Sequence, residues 1–486
     1  MDINKIKTLG ELKAAGYQSK SIKEEVRDNL IKQLQDKSDI YKGVIGFEDS
    51  VLPDMERAIL SKHNILLLGL RGQAKTRIAR QTTQLLDEYI PVVTGSDLND
   101  DPLNPLSSSA IDLIAKHGDD TPIHWMSSED RYVEKLATPD VSIADLVGDV
   151  DPIKAATLKL PYSDPRVIHY GLIPRSHRSI FVLNELPDLQ ARIQVSLFNI
   201  LQEGDIQIRG FKLRLPLDIL FIFTANPEDY TNRGSIITPL KDRIESQILT
   251  HYPKTIEIAK SITKQEIRVS EDIKEKIVIP ELIRDLLEYI VFEARESEFI
   301  DEKSGVSARL SITALENLYS TIERRMLMNN ESTGTARISD FWGVIPSITG
   351  KVELVYEGEQ EGPYNVALFL FSGAIKKLFT EYFEHPDAAI KREEKDPYGT
   401  LRAWFGAGNE FDIMNESSHK DYEKLLEAVP GLKKVITNRN IDDAHTHLFM
   451  EFLLHGLAEH EVISKEIMKR SLTFRDPLAN MFNEMN

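Results

Sequence analysis

The pattern of apolar and polar residues first predicts a helix near the start of the chain. In the segment SIKEEVRDNLIKQLQD the apolar residues recur four positions apart, at Ile22, Val26, Leu30 and Leu34. This spacing places them on one face of a helix. We therefore expect residues 1–40 to form a helical arm that packs against the rest of the chain.

Short apolar runs alternate with helical patterns between about residue 45 and residue 252. Strands separated by helices are typical of a parallel, doubly wound sheet with helices on its faces. The sequence therefore predicts an α/β fold for residues 41–253. The predicted strands are residues 65–68, 89–93, 180–183, 219–224 and 247–249.

Helical patterns dominate after residue 253, and the clearest of them cover residues 279–294 and 312–326. We expect residues 254–346 to form a small helical lid. Residues 347–486 are expected to form a mostly helical C-terminal extension with one β stretch, at residues 351–356.

Composition excludes several classes of protein. The 486 residues include no cysteine, which excludes disulfides and thiolate metal sites and is compatible with a reducing cytosol. No apolar run reaches the ~18 residues that a membrane span needs, and the polar N-terminus is unlike a secretion signal. The net charge of −18 repels phosphate backbones, so we expect protein partners and no nucleic acid. We expect a soluble, cytoplasmic protein.

A glycine-rich turn, GLRGQAKT at residues 69–76, follows the first predicted strand and opens a helical pattern. Small residues let backbone N–H groups turn toward phosphate oxygens, a lysine reaches the β- and γ-phosphates, and a hydroxyl holds Mg²⁺. The turn therefore predicts ATP and Mg²⁺ as ligands, and a chance glycine-rich turn is the alternative. The residues expected to contact the nucleotide are Gly69, Leu70, Arg71, Gly72, Gln73, Ala74, Lys75, Thr76 and Arg77.

Ala74 stands where such loops usually carry a glycine before the lysine. An alanine adds only a methyl group as long as the backbone stays right-handed.

A second apolar run ends in Asn184 and Glu185. In a P-loop ATPase, an aspartate at the first of these positions holds the Mg²⁺ water shell and the following glutamate polarises the attacking water. An amide can accept a hydrogen bond from a metal-bound water, but it brings no negative charge. We therefore predict Thr76 and Asn184 on the metal side and Glu185 as a catalytic residue, with Mg²⁺ affinity and turnover both in question.

Two further candidates follow a predicted hairpin at residues 204–216, centred on Gly210. Asn226, after the next strand, is expected to align the attacking water, although it can also simply cap the turn with Pro227. Arg243 lies near the end of a helix, where its cationic fork suits the γ-phosphate of a neighbouring subunit. A surface salt bridge is the alternative for Arg243.

Over roughly residues 40–345 these elements resemble the AAA+ ATPases of the MoxR and magnesium-chelatase ATPase-subunit group. Ile45 and Gly46 are similar to that family's entry to the adenine side. Residues 145–151 with Gly171 resemble its helix-2 insertion, and Arg309 resembles its second sensor arginine. Asn184 departs from the family pattern, which has aspartate.

The resemblance implies a three-layer α/β domain with a helical lid and a working form that is a ring, commonly a hexamer. It makes residues 204–216 the pre-sensor-1 hairpin, Asn226 the first sensor and Arg243 the arginine finger acting in trans. A usual partner of the family is a protein with a von Willebrand factor A domain. The last 140 residues match no family that we can name.

Three hypotheses follow for the function. The first is a Mg²⁺-dependent ATPase that remodels a partner protein or assists metal-ion insertion. The second, motivated by Asn184, is a nucleotide-binding scaffold or switch with little hydrolysis. The third, a magnesium chelatase subunit, is disfavoured because the long C-terminal extension is foreign to that protein.

One further cluster is a candidate metal site. His447, Glu451 and His455 follow one another at four-residue steps and permit a metal site, but a partly buried helix face with hydrogen-bonded imidazoles is favoured.

Overall fold

The computed structural model describes residues 3–161, 164–203, 205–208, 211–227, 235–391, 396–437, 439, 441–467 and 471–477. The chain divides into two compact units, Met1–Tyr252 and Pro253–Asn486.

The N-terminal unit alternates helices and strands. Its helices are α1 (Leu9–Ala14), α2 (Ile22–Gln35), α3 (Val51–Leu60), α4 (Lys75–Gln81), α5 (Ser108–His117), α6 (Ile143–Leu146), α7 (Pro152–Leu158), α8 (Leu172–Arg175), α9 (Ala191–Glu203) and α10 (Thr238–Lys241). Its strands are β1 (Ile65–Leu68), β2 (Tyr89–Val93), β3 (Ile123–Ser127), β4 (Tyr132–Leu136), β5 (Gly148–Val150), β6 (Ile168–Tyr170), β7 (Ser179–Asn184), β8 (Asp205–Ile208), β9 (Phe211–Arg214), β10 (Ile219–Ala225) and β11 (Ser246–Leu249).

A five-stranded sheet forms the centre of this unit. Its strand order is β11-β1-β10-β7-β4, and every neighbouring pair is parallel. Because all the strands run the same way, their carboxyl ends meet at one edge, where ligands bind in open α/β sheets.

Both faces of the central sheet are buried, as parallel sheets require. Leu66 and Leu68 pack into the core that includes α9, whereas Ile65 and Leu67 pack into a separate core that includes α2, α3 and α4. The result is three layers, with helices on each side of the sheet. The predicted fold class, a three-layer α/β domain followed by helices, is confirmed.

One predicted strand belongs elsewhere, and one sheet strand was not predicted. Strand β2 pairs antiparallel with β3 in a separate two-stranded sheet, outside the central sheet. The fifth strand of the central sheet is instead β4, in register with β7 from Tyr132 opposite Ile180 to Leu136 opposite Asn184. Its sequence, YVEKL, is partly exposed and contains no continuous apolar run, which explains why the hydrophobic pattern did not reveal it.

The predicted N-terminal helix is α2. Ile22, Val26 and Leu30 are fully buried against the central sheet's helical layer, whereas Leu34 is 39% exposed. Glu25 on the same helix forms two 2.7 Å hydrogen bonds with the buried guanidinium of Arg131, the residue just before β4. A charged pair of this kind needs both partners once it is buried, so the arm is an integral part of the unit.

Two hairpins project from the sheet layers. Strands β5 and β6, which precede and follow α7 in the sequence, pair antiparallel at the predicted insertion. Strands β8 and β9 pair antiparallel at the predicted hairpin of residues 204–216. Gly148 has φ +124°, and a Cβ atom there would strike the His169 carbonyl. Gly210, the predicted turn of the second hairpin, lies outside the described residues.

The C-terminal unit is mainly helical. Its helices are α11 (Ile256–Glu266), α12 (Glu271–Lys276), α13 (Glu281–Glu296), α14 (Arg309–Asn329), α15 (Ile345–Thr349), α16 (Tyr356–Glu361), α17 (Pro363–Tyr382), α18 (Pro386–Lys391), α19 (Gly399–Gly406), α20 (His419–Glu427), α21 (Leu432–Thr437) and α22 (Thr446–Glu459). Its strands are β12 (Ile277–Val278), β13 (Gly334–Thr335), β14 (Phe411–Met414), β15 (Ser464–Ile467) and β16 (Ser471–Arg475).

One hydrophobic core runs through this unit, from Ile277 to Phe474, and draws on both the predicted lid and the predicted extension. The β stretch predicted at residues 351–356 is wrong. Only an isolated bridge between Ile300 and Leu354 is present there, and α16 begins at Tyr356. The division into a lid and an extension stays a prediction.

Two polar residues of α22, Glu451 and His455, are buried in the core of this unit. Glu451 is fully buried and accepts hydrogen bonds from the backbone N–H groups of Ile338 and Ser339 (both 2.9 Å). His455 lies between Phe371 and Phe474, and neither of its ring nitrogens has a hydrogen-bond partner, so the expectation of hydrogen-bonded imidazoles is wrong there. Within the described ranges, no group of three or more His, Asp or Glu side chains is placed to hold a metal.

Candidate functional site

The glycine-rich turn connects β1 to α4 at the carboxyl edge of the central sheet. The turn is bonded to the residue that follows the neighbouring strand β11: the hydroxyl of Thr250 donates to Oε1 of the buried Gln73 (2.7 Å). A Cβ atom at Gly69 would collide with both of these side chains. The absence of a side chain at Gly69 therefore permits the close packing that shapes the loop.

Lys75, the first residue of α4, folds back over the loop and is only 7% exposed. Its ammonium group donates to the carbonyls of Gly69 and Leu70 (3.0 Å for Leu70) and to Oδ1 of Asn226 (2.5 Å). The lysine thus joins the loop to the end of strand β10.

Ala74 does not meet the condition under which an alanine adds only a methyl group. Its φ of 54° and ψ of 14° place it in the left-handed region, so the backbone is not right-handed there. That conformation costs a residue with a Cβ atom about 1–2 kcal/mol. The loop carries this strain directly before the lysine, at a position where strain is typical of functional sites.

The other loop residues line the start of α4. Thr76 is exposed, Gly72 has φ +76°, and Arg77 is half-buried. The Arg71 carbonyl accepts a hydrogen bond from the Tyr252 hydroxyl (3.0 Å), which fixes the outer side of the loop.

Glu185 and Asn226 follow neighbouring strands, β7 and β10, and meet at the sheet edge. Nδ2 of Asn226 donates to Oε2 of Glu185 (2.9 Å), while its Oδ1 accepts from Lys75. Both side chains are half-buried. Glu185 has φ 56° and ψ 50°, so it too is held in the left-handed region. Lys75, Asn226 and Glu185 therefore form one hydrogen-bonded cluster.

Asn184 ends strand β7 and is 8% exposed. Its Nδ2 donates to Oε1 of Glu134 on β4 (2.7 Å), and its Oδ1 accepts from the Thr224 hydroxyl on β10 (3.0 Å). Sequence reasoning identified neither Glu134 nor Thr224.

Arg243 follows α10 and packs against α9. Its guanidinium carbon lies 3.8 Å from the centre of the Phe198 ring, and its NH1 donates to the Pro239 carbonyl (2.8 Å). Arg309 is exposed and is the first residue of α14, in the C-terminal unit, where its N–H donates to the Ser307 hydroxyl (3.1 Å).

The predicted adenine-side residues lie in the turn before α3. Gly46 has φ +86°, and its N–H donates to Oε1 of Glu48 (3.1 Å). Ile45 is half-buried, and the neighbouring Phe47 ring lies 5.0 Å from the His251 ring, edge to face. This turn therefore contacts the segment that follows β11.

The side chains at the sheet edge fit a phosphate chain with Mg²⁺. Lys75 supplies a positive charge, and the side chains of Thr76, Asn184 and Glu185 present hydroxyl, amide and carboxylate oxygens, the hard donors that Mg²⁺ prefers. The closely packed turn at Gly69 and the left-handed residues beside the lysine shape a loop around this positive charge.

The strand order decides between a chance glycine-rich turn and a P-loop architecture. Strand β10, which is followed by Asn226, lies between β1, which leads into the glycine-rich loop, and β7, which leads into Glu185. The chain has the strand order of a P-loop nucleotide-binding domain.

Comparisons with known proteins return remote likenesses. No family model matches the chain. A "putative ATPase" from Cytophaga hutchinsonii is 18% identical over 74% of this chain and 97% of its own, with a TM-score of 0.28. A complex of subunits BchI and BchD of magnesium chelatase gives 17% identity over 66% of this chain and 98% of the other, with a TM-score of 0.35. NtrX from Brucella abortus gives 14% identity over 60% and 55%, with a TM-score of 0.32. Since all these values are low, the assignment of a P-loop architecture rests on the chain's own sheet order and loop.

One weak sequence signal could have led to Glu134. The amide at position 184, where a carboxylate is usual, invites a search for a compensating acidic residue on a neighbouring strand. That search needs strand β4, which the hydrophobic pattern does not show.

Within the described residues, no helix is long and apolar enough to cross a membrane.

Proposed function

We propose that this chain is a Mg²⁺-dependent AAA+ ATPase that acts as a cytoplasmic ring, commonly a hexamer in this class of protein. The observation that carries the proposal is the meeting of Lys75, Asn226 and Glu185 at the carboxyl ends of parallel strands. A cation, an amide and a carboxylate in hydrogen-bonded contact are the groups that phosphoryl transfer to water requires.

Each group has a role in this proposal. The loop at residues 69–77 and Lys75 hold the phosphates, Thr76 and Asn184 lie on the metal side, and Ile45 with Gly46 borders the base. Bound Mg²⁺ neutralises charge on the phosphates in such sites. Water that reaches the half-buried edge meets a carboxylate that can accept its proton.

Glu185 is the proton acceptor in this proposal, and Asn226 is the residue that holds it. Both polar atoms of the Asn226 amide form hydrogen bonds, since its oxygen accepts from Lys75 and its nitrogen donates to Glu185. Because this amide joins the phosphate-binding lysine to the acid, displacement of the lysine by a phosphate would be transmitted to Glu185.

Arg243 and Arg309 are proposed to read the γ-phosphate, Arg243 from a neighbouring subunit and Arg309 in its own. For this role Arg243 has to exchange the Pro239 carbonyl for a phosphate oxygen. Hydrolysis would then remodel a partner protein or assist metal-ion insertion, and a von Willebrand factor A domain protein is the proposed partner.

The test is steady-state phosphate release from the purified full chain with ATP and Mg²⁺, over a range of protein concentrations. Glu185→Gln is expected to lower the rate by about 10²–10⁴-fold, the usual contribution of a general base, while ATP binding persists. Glu129→Gln, the same change at an exposed residue just before β4, is the matched control and should leave the rate unchanged. The rate per subunit should rise with protein concentration if sites are completed in trans.

Asn184 supports a second candidate function, a nucleotide-dependent scaffold or switch that binds ATP and assembles with little turnover. If wild type and Glu185→Gln are equally inactive while ATP still binds, the motor hypothesis is wrong and the switch takes its place. If ATP does not bind at all, both proposals fail.

A further inference from the structure

The amide of Asn184 is fixed in one orientation. Its nitrogen lies 2.7 Å from a carboxylate oxygen of Glu134, and its oxygen lies 3.0 Å from the Thr224 hydroxyl. Only the nitrogen of an amide can donate to a carboxylate, so the amide cannot be reversed without losing this bond.

The Thr224 hydroxyl extends this arrangement to the proposed catalytic acid. Its oxygen accepts the backbone N–H of Glu185 (3.1 Å), while its hydrogen goes to Asn184. One chain of hydrogen bonds therefore runs from the backbone N–H of Glu185 through Thr224 and Asn184 to the carboxylate of Glu134. Bonds in such a chain polarise one another, so a charge at one end is felt at the other.

Glu134 is held in place by the phosphate-loop helix and by its own strand. Oε2 accepts from Arg80 on α4 (2.8 Å) and from the Tyr132 hydroxyl (3.1 Å), while Oε1 accepts from Asn184. The side chain is 24% exposed. The carboxylate is thus fixed beside the end of β7 and is bonded to Arg80 of the helix that begins with Lys75.

We propose that Glu134 is a positioning residue for the magnesium side of the site: its carboxylate orients the Asn184 amide and supplies the negative charge that position 184 lacks. This inference rests on the proposed binding of ATP and Mg²⁺. It assigns to a pair of residues on neighbouring strands the charge that a single aspartate would carry. In this inference Asn184 and Glu134 function as a pair, and the amide at position 184 is not a defect of the site.

The pairing explains why aspartate would be unsuited to position 184 in this chain. A carboxylate there would face that of Glu134 across the 2.7 Å now spanned by a hydrogen bond. Two carboxylates at that distance do not both ionise, so they would share a proton and the pair would gain little charge. Glutamine at position 134 would remove the conflict, because its amide can donate to an aspartate at 184.

The test is a swap of the two residues in the full chain. The variants are Glu134→Gln, Asn184→Asp and the double variant, with Glu129→Gln as the matched control. Binding of methylanthraniloyl-ATP is measured by fluorescence in Mg²⁺ and in EDTA, and phosphate release is measured alongside. Changes to residues behind metal ligands typically cost about 10–100-fold in metal affinity or activity.

We expect Glu134→Gln to reduce the gain in affinity that Mg²⁺ confers by about tenfold or more, with binding in EDTA unchanged. Asn184→Asp alone should not improve that gain. The double variant should recover it, because it restores one carboxylate and one amide with the hydrogen bond reversed. A loss caused by misfolding would not be rescued by the second substitution.

The inference is overturned if Glu134→Gln behaves like Glu129→Gln, or if Asn184→Asp tightens Mg²⁺-dependent binding whatever residue stands at 134. If the wild type binds the analogue but Mg²⁺ adds nothing, this inference fails while nucleotide binding stands. If the wild type binds no analogue in either condition, the proposed function fails and the role of Glu134 falls with it.

Discussion

Buried carboxylates occur in both units, but they are used differently. In the C-terminal unit Asp340 is 1% exposed and accepts from the guanidinium of Arg325 (3.1 and 3.0 Å) and from the Arg337 N–H (2.8 Å). Glu451 is fully buried and accepts from two backbone N–H groups and from the Tyr422 hydroxyl (2.8 Å). These acids are enclosed, and they serve to join helices and turns.

The carboxylates of the candidate site are only partly enclosed. Glu185 is half-buried and Glu134 is 24% exposed, and both lie at or near the carboxyl ends of strands. Their described partners include the amide groups of Asn226 and Asn184. The difference teaches that burial and hydrogen bonding alone do not mark a functional acid. The carboxylates of the candidate site differ from those of the C-terminal unit because solvent reaches them at the edge of a sheet.

The largest effect on stability is expected from Arg325→Met in the C-terminal unit. This change leaves Asp340 buried without its cation, and breaking a buried pair in this way costs about 3–5 kcal/mol. Urea unfolding followed by tryptophan fluorescence measures it, because Trp342 and Trp404 lie in this unit. A Trp125→Phe background removes the signal of the third tryptophan, which lies in the N-terminal unit.

Arg324→Met is the control on the same helix. Arg324 pairs with Glu416 at the surface and its side chain is 63% exposed, so its loss should cost less than about 1 kcal/mol. Equal losses in the two variants would show that enclosure of the carboxylates does not distinguish the regions.

A smaller effect, dependent on pH, is expected from Glu288 in α13. Burial raises the pKa of this carboxyl to about 7, although the Thr263 hydroxyl donates to it (2.5 Å). The folded state therefore holds the proton more tightly than the unfolded state. The stability from this group is present below the ordinary pKa of glutamate and is lost as pH rises toward 7. The full loss is roughly 3 kcal/mol.

The measurement compares urea unfolding of wild type and Glu288→Gln at pH values from 4 to 8, in the Trp125→Phe background. The variant should gain stability relative to wild type as pH rises, because glutamine keeps the acceptor and does not ionise. A difference that is constant over this range would contradict the raised pKa.

The smallest effect is expected from Ala74→Gly in the phosphate loop. Glycine removes about 1–2 kcal/mol of left-handed strain but restores freedom to the unfolded chain, which leaves a gain of about 1 kcal/mol. Calorimetry should show the Tm of the N-terminal unit rising by about 2–4 °C. Gly72→Ala, at φ +76°, should shift it in the opposite direction. A lower Tm for Ala74→Gly would show that the methyl group makes contacts worth more than the strain.

Most of the fold could be predicted because its buried strands are apolar throughout. Strands β1, β7 and β10 stand out as such runs between helical patterns, and the four-residue spacing of apolar residues in α2 is equally plain. Strand β4 could not be found in this way, since Glu134 and Lys135 interrupt its apolar pattern. The antiparallel pairing of β2 with β3 depends on contacts that periodicity does not encode.

The candidate site was predictable only where a residue's role is tied to its place in a motif. Lys75, Glu185 and Asn226 follow strands at recognisable spacings, and the structure brings them together. Thr224 and Glu134 act through neighbouring strands, so their contact with Asn184 depends on sheet order and register. The left-handed backbone of Ala74 was also hidden, because residue type alone favours the opposite conformation.

The docking of α2 has a consequence for how the chain folds as it is synthesised. The N–H of Ile22 donates to the Asp218 carboxylate, 196 residues later, and Glu25 binds Arg131, 106 residues later. At about 5–20 residues per second, the ribosome delivers Asp218 roughly 10 to 40 s after Ile22. Helix α2 is therefore not secured until most of the N-terminal unit has been made, and its apolar face has to wait for strands that are synthesised later.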